Sequence, residues 1–180
     1  VNGQFIFALS SGYILSTYNL TQFTLTQPVN SISNTGIVAT PSEIVAIGDS
    51  GAISYSTDGV TYTSITPVTA NNLKRIKKIG SVYYIVANGG TYLTSFDAIT
   101  WTAKTVGNSA NLMDIEADST GTLFIIAGSA GYIATSPDAN ATTPIWTIQT
   151  SPVGTKLNQI FRNDANATRK YQIIGDSGVI

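Results

Sequence analysis

Apolar residues along this chain come in two alternating textures. Some runs are apolar at every position: Ile44-Val45-Ala46-Ile47, Tyr83-Tyr84-Ile85-Val86 and Phe124-Ile125-Ile126-Ala127. After a glycine turn each gives way to a run in which apolar and polar residues alternate, as from Ile53 to Ser56. A continuous apolar run bounded by turns is the pattern of a strand covered on both faces, and alternation is the pattern of one covered on a single face. The phrase then repeats. The glycines that end the apolar runs, Gly12, Gly51, Gly90, Gly131 and Gly178, are spaced 39, 39, 41 and 47 residues apart. An aromatic follows 11 residues later at Phe23, Tyr62 and Trp101, and 15 residues later at Trp146.

Every difference in length between the copies is even and falls in a hairpin turn. Strand side chains alternate with period two, so even insertions keep the buried set on its face. A period of about 40 residues made of short strands predicts an all-β chain: a β-propeller of four-stranded antiparallel blades. Four blades and the start of a fifth are expected, at about 1–27, 31–67, 71–106, 110–151 and 155–180. The expected array does not close on itself, which predicts a segment of a larger propeller or strands supplied by another chain, with apolar blade faces exposed if nothing covers them.

Composition agrees with strands and narrows the chemistry. Charged residues make up 11%, against about 25% in typical globular chains, and Ser, Thr and Asn carry the polarity instead. The net charge of −1 gives no overall basic field for nucleic acid. Neither Cys nor His occurs, so disulfides, thiol chemistry and the commonest general base are absent. No apolar stretch approaches the length of about 20 residues that a membrane-spanning helix needs. Asn-x-Thr sequons at Asn19, Asn140 and Asn166 are about as many as so Asn- and Thr-rich a sequence produces by chance.

Between the third and fourth strands of a blade the copies read Ser56-Thr57-Asp58-Gly59-Val60-Thr61-Tyr62 and Ser95-Phe96-Asp97-Ala98-Ile99-Thr100-Trp101. Ser136, Asp138 and Trp146 follow the same order with four extra residues, and Thr17, Asn19 and Phe23 keep the hydroxyl, the Asx and the aromatic. A carboxylate at such a position can accept backbone N–H groups of its own turn and fix a hairpin tip. These stretches resemble the Asp-box (BNR) motif of sialidase-type propellers and their non-catalytic relatives. The resemblance implies structural turns at the blade periphery, away from any central site.

It also implies what a catalytic member would carry: three arginines around a carboxylate, a Tyr nucleophile with a Glu partner, and a further acid. Arg75, Arg162 and Arg169 fall at unmatched places in the repeat, and neither Glu43 nor Glu116 has a Tyr partner by spacing. No catalytic residue, cofactor or metal site is therefore expected. Charge concentrates on two equivalent inner strands, Lys74-Arg75-Ile76-Lys77-Lys78 and Asp114-Ile115-Glu116-Ala117-Asp118. Alternation puts Lys74 and Lys78 on one face and Asp114, Glu116 and Asp118 on another. Two readings stay open: an inter-blade ladder pairing Lys74 and Lys78 with Asp114 and Asp118, and an anion site on the basic strand.

The low-charge, hydroxyl-rich surface resembles propeller modules of phage tail and fibre proteins. The first expectation is thus a non-catalytic structural or receptor-binding module, extracellular or on a virion, whose partners are other chains of an assembly or a cell-surface glycan. Two alternatives stand beside it. One is an assembly factor like the photosystem propellers, which carry similar repeats and bind protein partners; the other is part of a sialidase-like hydrolase whose catalytic residues lie outside this stretch.

Overall fold

A computed structural model of the chain describes residues 3–27, 33–165 and 170–176. Among the described residues, seventeen strands follow one another as antiparallel meanders. The first sheet holds β1 (Phe5–Ala8), β2 (Ile14–Thr17) and β3 (Thr24–Thr26). Three four-stranded sheets come next. They are β4 (Asn34–Ala39) to β7 (Thr63–Ile65), β8 (Leu73–Ile79) to β11 (Thr102–Thr105), and β12 (Leu112–Ala117) to β15 (Thr147–Ile148). Their middle strands are β5 (Ile44–Gly48) and β6 (Ile53–Ser56), β9 (Val82–Ala87) and β10 (Thr91–Ser95), and β13 (Phe124–Gly128) and β14 (Ile133–Ser136). The last sheet pairs β16 (Leu157–Arg162) with β17 (Tyr171–Gly175). Gly178, Asn166, Arg169 and the expected third strand of this sheet lie outside the described residues.

The core lies between sheets. Tyr83 and Ile85 of β9 pack with Val45, Ile47 and Ile53 of the second sheet, whereas Tyr84 and Val86 pack with Ile115 and Ile126 of the fourth. Successive residues of one strand thus serve opposite neighbours, which is why all six residues of β9 are buried and why its sequence is apolar throughout. Sheets without a neighbour on one side show the converse. Phe5 and Phe7 of β1 are 50% and 44% exposed, and Phe161 and Ile174 of the last sheet are exposed as well.

Two repeated devices set the geometry. The innermost strands β4, β8, β12 and β16 each carry a one-residue bulge near their start, between Asn34 and Gly36, Leu73 and Arg75, Leu112 and Asp114, and Leu157 and Gln159. A bulge puts two residues opposite one and reverses the alternation beyond it, so Leu73 and Ile76 share one face and one core cluster despite their odd separation. The second device is an asparagine stitch between consecutive blades. The Asn34 side-chain amide donates to the Tyr13 carbonyl (3.1 Å), Asn72 Oδ1 accepts the Ser50 N–H (2.9 Å) and Asn111 Oδ1 accepts the Gly89 N–H (3.1 Å).

The marker glycines answer to close approach as well as to their positive φ. At Gly51, Gly90 and Gly131 an added Cβ would lie 1.9, 1.5 and 1.9 Å from the carbonyl oxygens of Thr69, Asn108 and Val153. Each of these belongs to the linker that carries the chain to the next blade.

Candidate functional site

The hairpins that join the third and fourth strands are built from side chain to backbone. In the second blade Asp58 Oδ1 accepts the N–H groups of Val60 (2.8 Å) and Thr61 (2.7 Å) and the Ser56 hydroxyl (3.0 Å), while Ser56 Oγ accepts the Gly59 N–H (2.9 Å). The third blade repeats this with Asp97, Ile99, Thr100 and Ser95 at 2.7–2.9 Å. Ala98 there takes a φ of +61° where Gly59 has +76°. In the first blade Asn19 Oδ1 accepts the N–H groups of Thr21 and Gln22, both at 3.0 Å. Neutral Asn therefore builds the same turn, and the charge of Asp58 and Asp97 is dispensable to its shape.

The Thr61 and Val60 N–H groups hold the Asp58 carboxyl at about 2, and those of Thr100 and Ile99 hold Asp97 at about 2. Folded-state values below the unfolded carboxylate value of about 3.9 mean that these groups stabilise the fold above that value and lose the contribution as pH falls toward 2. Carbon-detected NMR titration is expected to give midpoints near 2 for both carboxyls, with melting temperature falling from pH 4 downward; midpoints near 4 would remove the N–H contacts from solution.

The aromatic marker covers each turn differently. Trp101 Nε1 donates to the Ala98 carbonyl (3.1 Å). In the fourth blade the four extra residues move Trp146 away, and a relay replaces the direct bond. Trp146 Nε1 donates to the Tyr92 hydroxyl (3.3 Å), which donates to the Ala139 carbonyl (2.9 Å), with the rings edge to face at 5.6 Å. Phe23 in the first blade is 51% exposed and has no polar atom to give. Tyr62 is buried, and its hydroxyl has no partner among the described residues. A sealed, unpaired hydroxyl is a cost that phenylalanine removes. Tyr62→Phe is expected to leave stability unchanged or raise it by up to about 1 kcal/mol in urea unfolding; a loss of similar size would reveal a missing partner.

The charged inner strands meet, but not as alternation and spacing predict. Lys74 and Lys78 do not pair with Asp114 and Asp118. Instead Lys77 Nζ lies 2.9 Å from Asp114 and 3.1 Å from Glu116, and Arg75 Nε lies 3.4 Å from Asp114. The face of β8 that carries Ile76 and Lys78 turns to the second blade, so Lys78 pairs with Glu43 at 3.2 Å. Arg75 and Lys77 turn to the fourth blade and reach around the inner edge of β12. Asp114 is fully buried there, and its carboxylate also accepts the N–H of Ile160 in the fifth blade (2.8 Å) and of Ile115 (2.9 Å). One carboxylate thus ties three blades together. Asp118 turns away from the cations and caps its own turn, accepting the Thr120 hydroxyl (2.6 Å) and the N–H groups of Thr122 and Leu123. Lys74 sits in the bulge with no ion pair among the described residues and lines a cleft of about 220 Å³ beside Thr35 and Gly36.

Glu43 has the tyrosine partner that spacing failed to show. The Tyr83 hydroxyl donates to Glu43 Oε1, and Lys78 Nζ approaches that hydroxyl at 2.9 Å. The hydrogen bond from Tyr83 holds the Glu43 carboxyl below its ordinary value, while burial first and Glu43 next push the Tyr83 phenol up. A nucleophilic phenol needs the opposite shift and access to substrate, whereas Tyr83 is 0% exposed. The trio joins the second blade to the third. Of the arginines, Arg75 is engaged with Asp114, and Arg162 with the Ala117 carbonyl and Asp164; no described arginines converge.

The described sheets match solved propellers. The chain is similar to YCF48 bound to D1 peptide, with a TM-score of 0.73 at 18% identity over 99% of this chain and 59% of that one. It is similar also to YCF48 from Cyanidioschyzon merolae, with a TM-score of 0.66 at 15% identity over 88% of this chain and 57% of that one. The fold is a β-propeller. At such identities the likeness is one of fold, and the chain spans less than three fifths of the length of either protein. No known family profile and no curated protein matches the sequence.

Proposed function

We propose that this chain is a non-catalytic propeller module that binds protein partners, the assembly-factor alternative rather than the virion or glycan-binding module that composition first suggested. The observation that carries the reading is the match of 99% of the chain to a propeller solved with a peptide bound. The internal chemistry supports it. Tyr83 of the tyrosine–glutamate pair is buried between blades, and Arg75, Lys77, Lys78, Asp114 and Glu116 of the inner strands are engaged in ion pairs. The four hairpins around Asn19, Asp58, Asp97 and Asp138 are read as Asp-box turns, three of them regular and the fourth diverged. A fold hosts many functions, so the test compares binding classes directly. Fluorescently tagged protein on parallel peptide and glycan arrays is expected to bind a subset of peptides saturably and no glycan, and to release no product from an umbelliferyl sialoside. Saturable glycan binding without peptide binding, or turnover of the sialoside, would overturn the proposal.

A further inference from the structure

Where the turn between β8 and β9, the turn between β12 and β13 and the diverged hairpin of the fourth blade come together, they line an open cavity of about 530 Å³. Tyr84 and Phe124 wall it, with ring centroids 5.3 Å apart. Tyr84 is 98% buried, since only 2% of its surface is exposed. No described group hydrogen-bonds its hydroxyl, which is not among the sealed polar atoms either. Burial first, and the charge of Asp138 next, push its phenol up, so the hydroxyl stays neutral beside that carboxylate.

The charges around this hydroxyl do not balance. Both cations of the wall are already engaged, Lys78 by Glu43 at 3.2 Å and Arg162 by Asp164 at 3.1 Å. Glu116 is engaged by Lys77 at 3.1 Å. Asp118 and Asp138 have no cation partner among the described residues. The Thr120 hydroxyl, followed by the N–H groups of the turn, holds Asp118 well below the usual carboxylate range, so it stays charged. Asp138 has been released by divergence. Asp58 and Asp97 each accept two backbone N–H groups and a serine hydroxyl, whereas Asp138 accepts the Asn140 N–H alone (2.9 Å). The insertion that displaced Trp146 thus left a carboxylate with spare acceptor capacity facing an unpartnered tyrosine oxygen.

We propose that this cavity receives the cationic side chain, guanidinium or ammonium, of a protein partner, with Asp138 and Asp118 supplying the charge and Tyr84 an acceptor. The site rests on the protein-binding reading above and gives it a sequence preference for basic residues. A guanidinium has five donors in a planar fork, against three on an ammonium, so arginine is preferred to lysine.

Isothermal titration calorimetry of the whole chain with a blocked tri-arginine peptide is the test, with a blocked tri-glutamate peptide as control. Saturable binding of the arginine peptide is expected, weakening with added salt, and no binding of the glutamate peptide. Asp138→Asn, which keeps an oxygen for Asn140, is expected to weaken binding about tenfold, and Tyr84→Phe about threefold. Unchanged melting curves for both variants confirm that the fold is intact. The peptide array separates the two ways of failing. Selection of non-basic peptides, or arginine binding that Asp138→Asn leaves untouched, overturns this site and leaves the protein-binding reading standing. An array with no bound peptide overturns both.

Discussion

Replacing Asp114 with alanine is expected to cost about 3–5 kcal/mol, the range found when one partner of a buried ion pair is removed. The carboxylate is fully buried and serves Lys77, Arg75 and the N–H groups of Ile160 and Ile115. Alanine takes one partner from all four at once. Lys77, 22% exposed in its side chain, keeps only Glu116, and the Ile160 N–H loses its acceptor inside the interface between the fourth and fifth blades. For a chain of this size each kcal/mol is worth about 2–4 °C, so the melting temperature is expected to fall by about 10 °C. Asp114→Asn retains one acceptor oxygen but turns an NH₂ toward the cations, and an intermediate loss is expected. Lys156→Ala is the contrast. Its pair with Asp176 spans 3.6 Å with side chains 43% and 52% exposed, and such surface pairs contribute about 0–1 kcal/mol. A loss below about 1 kcal/mol for Asp114→Ala would mean that the inner strands are held by apolar packing alone.

Gly90→Ala is expected to cost about 4 kcal/mol or more and to leave little folded protein at 37 °C, which places it among the largest single-residue effects. Backbone strain and a steric clash add. The residue has a φ of +67°, worth about 1–2 kcal/mol against an L side chain. The clash costs more, because the Asn108 carbonyl oxygen lies 1.5 Å from the position of the new Cβ. That oxygen belongs to rigid backbone and can move only if the linker to the fourth blade moves. Gly80→Ala isolates the strain, since Gly80 has a φ of +60° and open space around it, and about 1 kcal/mol is expected. The neighbouring turn positions support this division, because Ser50 and Ala130 tolerate φ values of +56° and +54° with a side chain present. Equal melting temperatures for Gly80→Ala and Gly90→Ala would show that the linker does not press on the turn.

These glycines also show how much of the molecule can be read from the chain. Their spacing gives the period, and the fully apolar runs between them mark strands covered on both sides, because Tyr83 and Tyr84 serve different blades. The hairpin chemistry of Asp58 and Asp97 is equally legible, since it is local and depends on residue type. What alternation misreads is the inner strand. The bulge falls on Thr35, Lys74, Met113 and Asn158 in the four copies, residues that share no chemistry, so nothing in the sequence marks where alternation reverses. Which face meets which blade then has to come from the fold, and Lys78 belongs with Glu43 for that reason. The Glu43–Tyr83 pair hides for a related reason, because its members sit 40 residues apart on consecutive blades and become neighbours only when the sheets stack. The asparagine stitches did leave a signal, as Asn72 and Asn111 stand immediately before Leu73 and Leu112 at the head of the inner strand.

Polar groups of the inner strands hold blades together, and two carboxylates left without cations among the described residues, Asp118 and Asp138, line the cleft between the third and fourth blades. Where a partner docks is therefore the decisive question. An amide chemical-shift map of the isotope-labelled chain, recorded as the tri-arginine peptide is added, answers it most directly. Shifts are expected to concentrate at Gly80 and Ser81, at Ser119 to Gly121 and at Asp138 to Asn140, the three turns that rim the cavity. Shifts confined to the cleft of Lys74 and Thr35, or to the opposite turns at 88–90 and 129–131, would contradict that assignment, as would a spectrum that the peptide leaves unchanged.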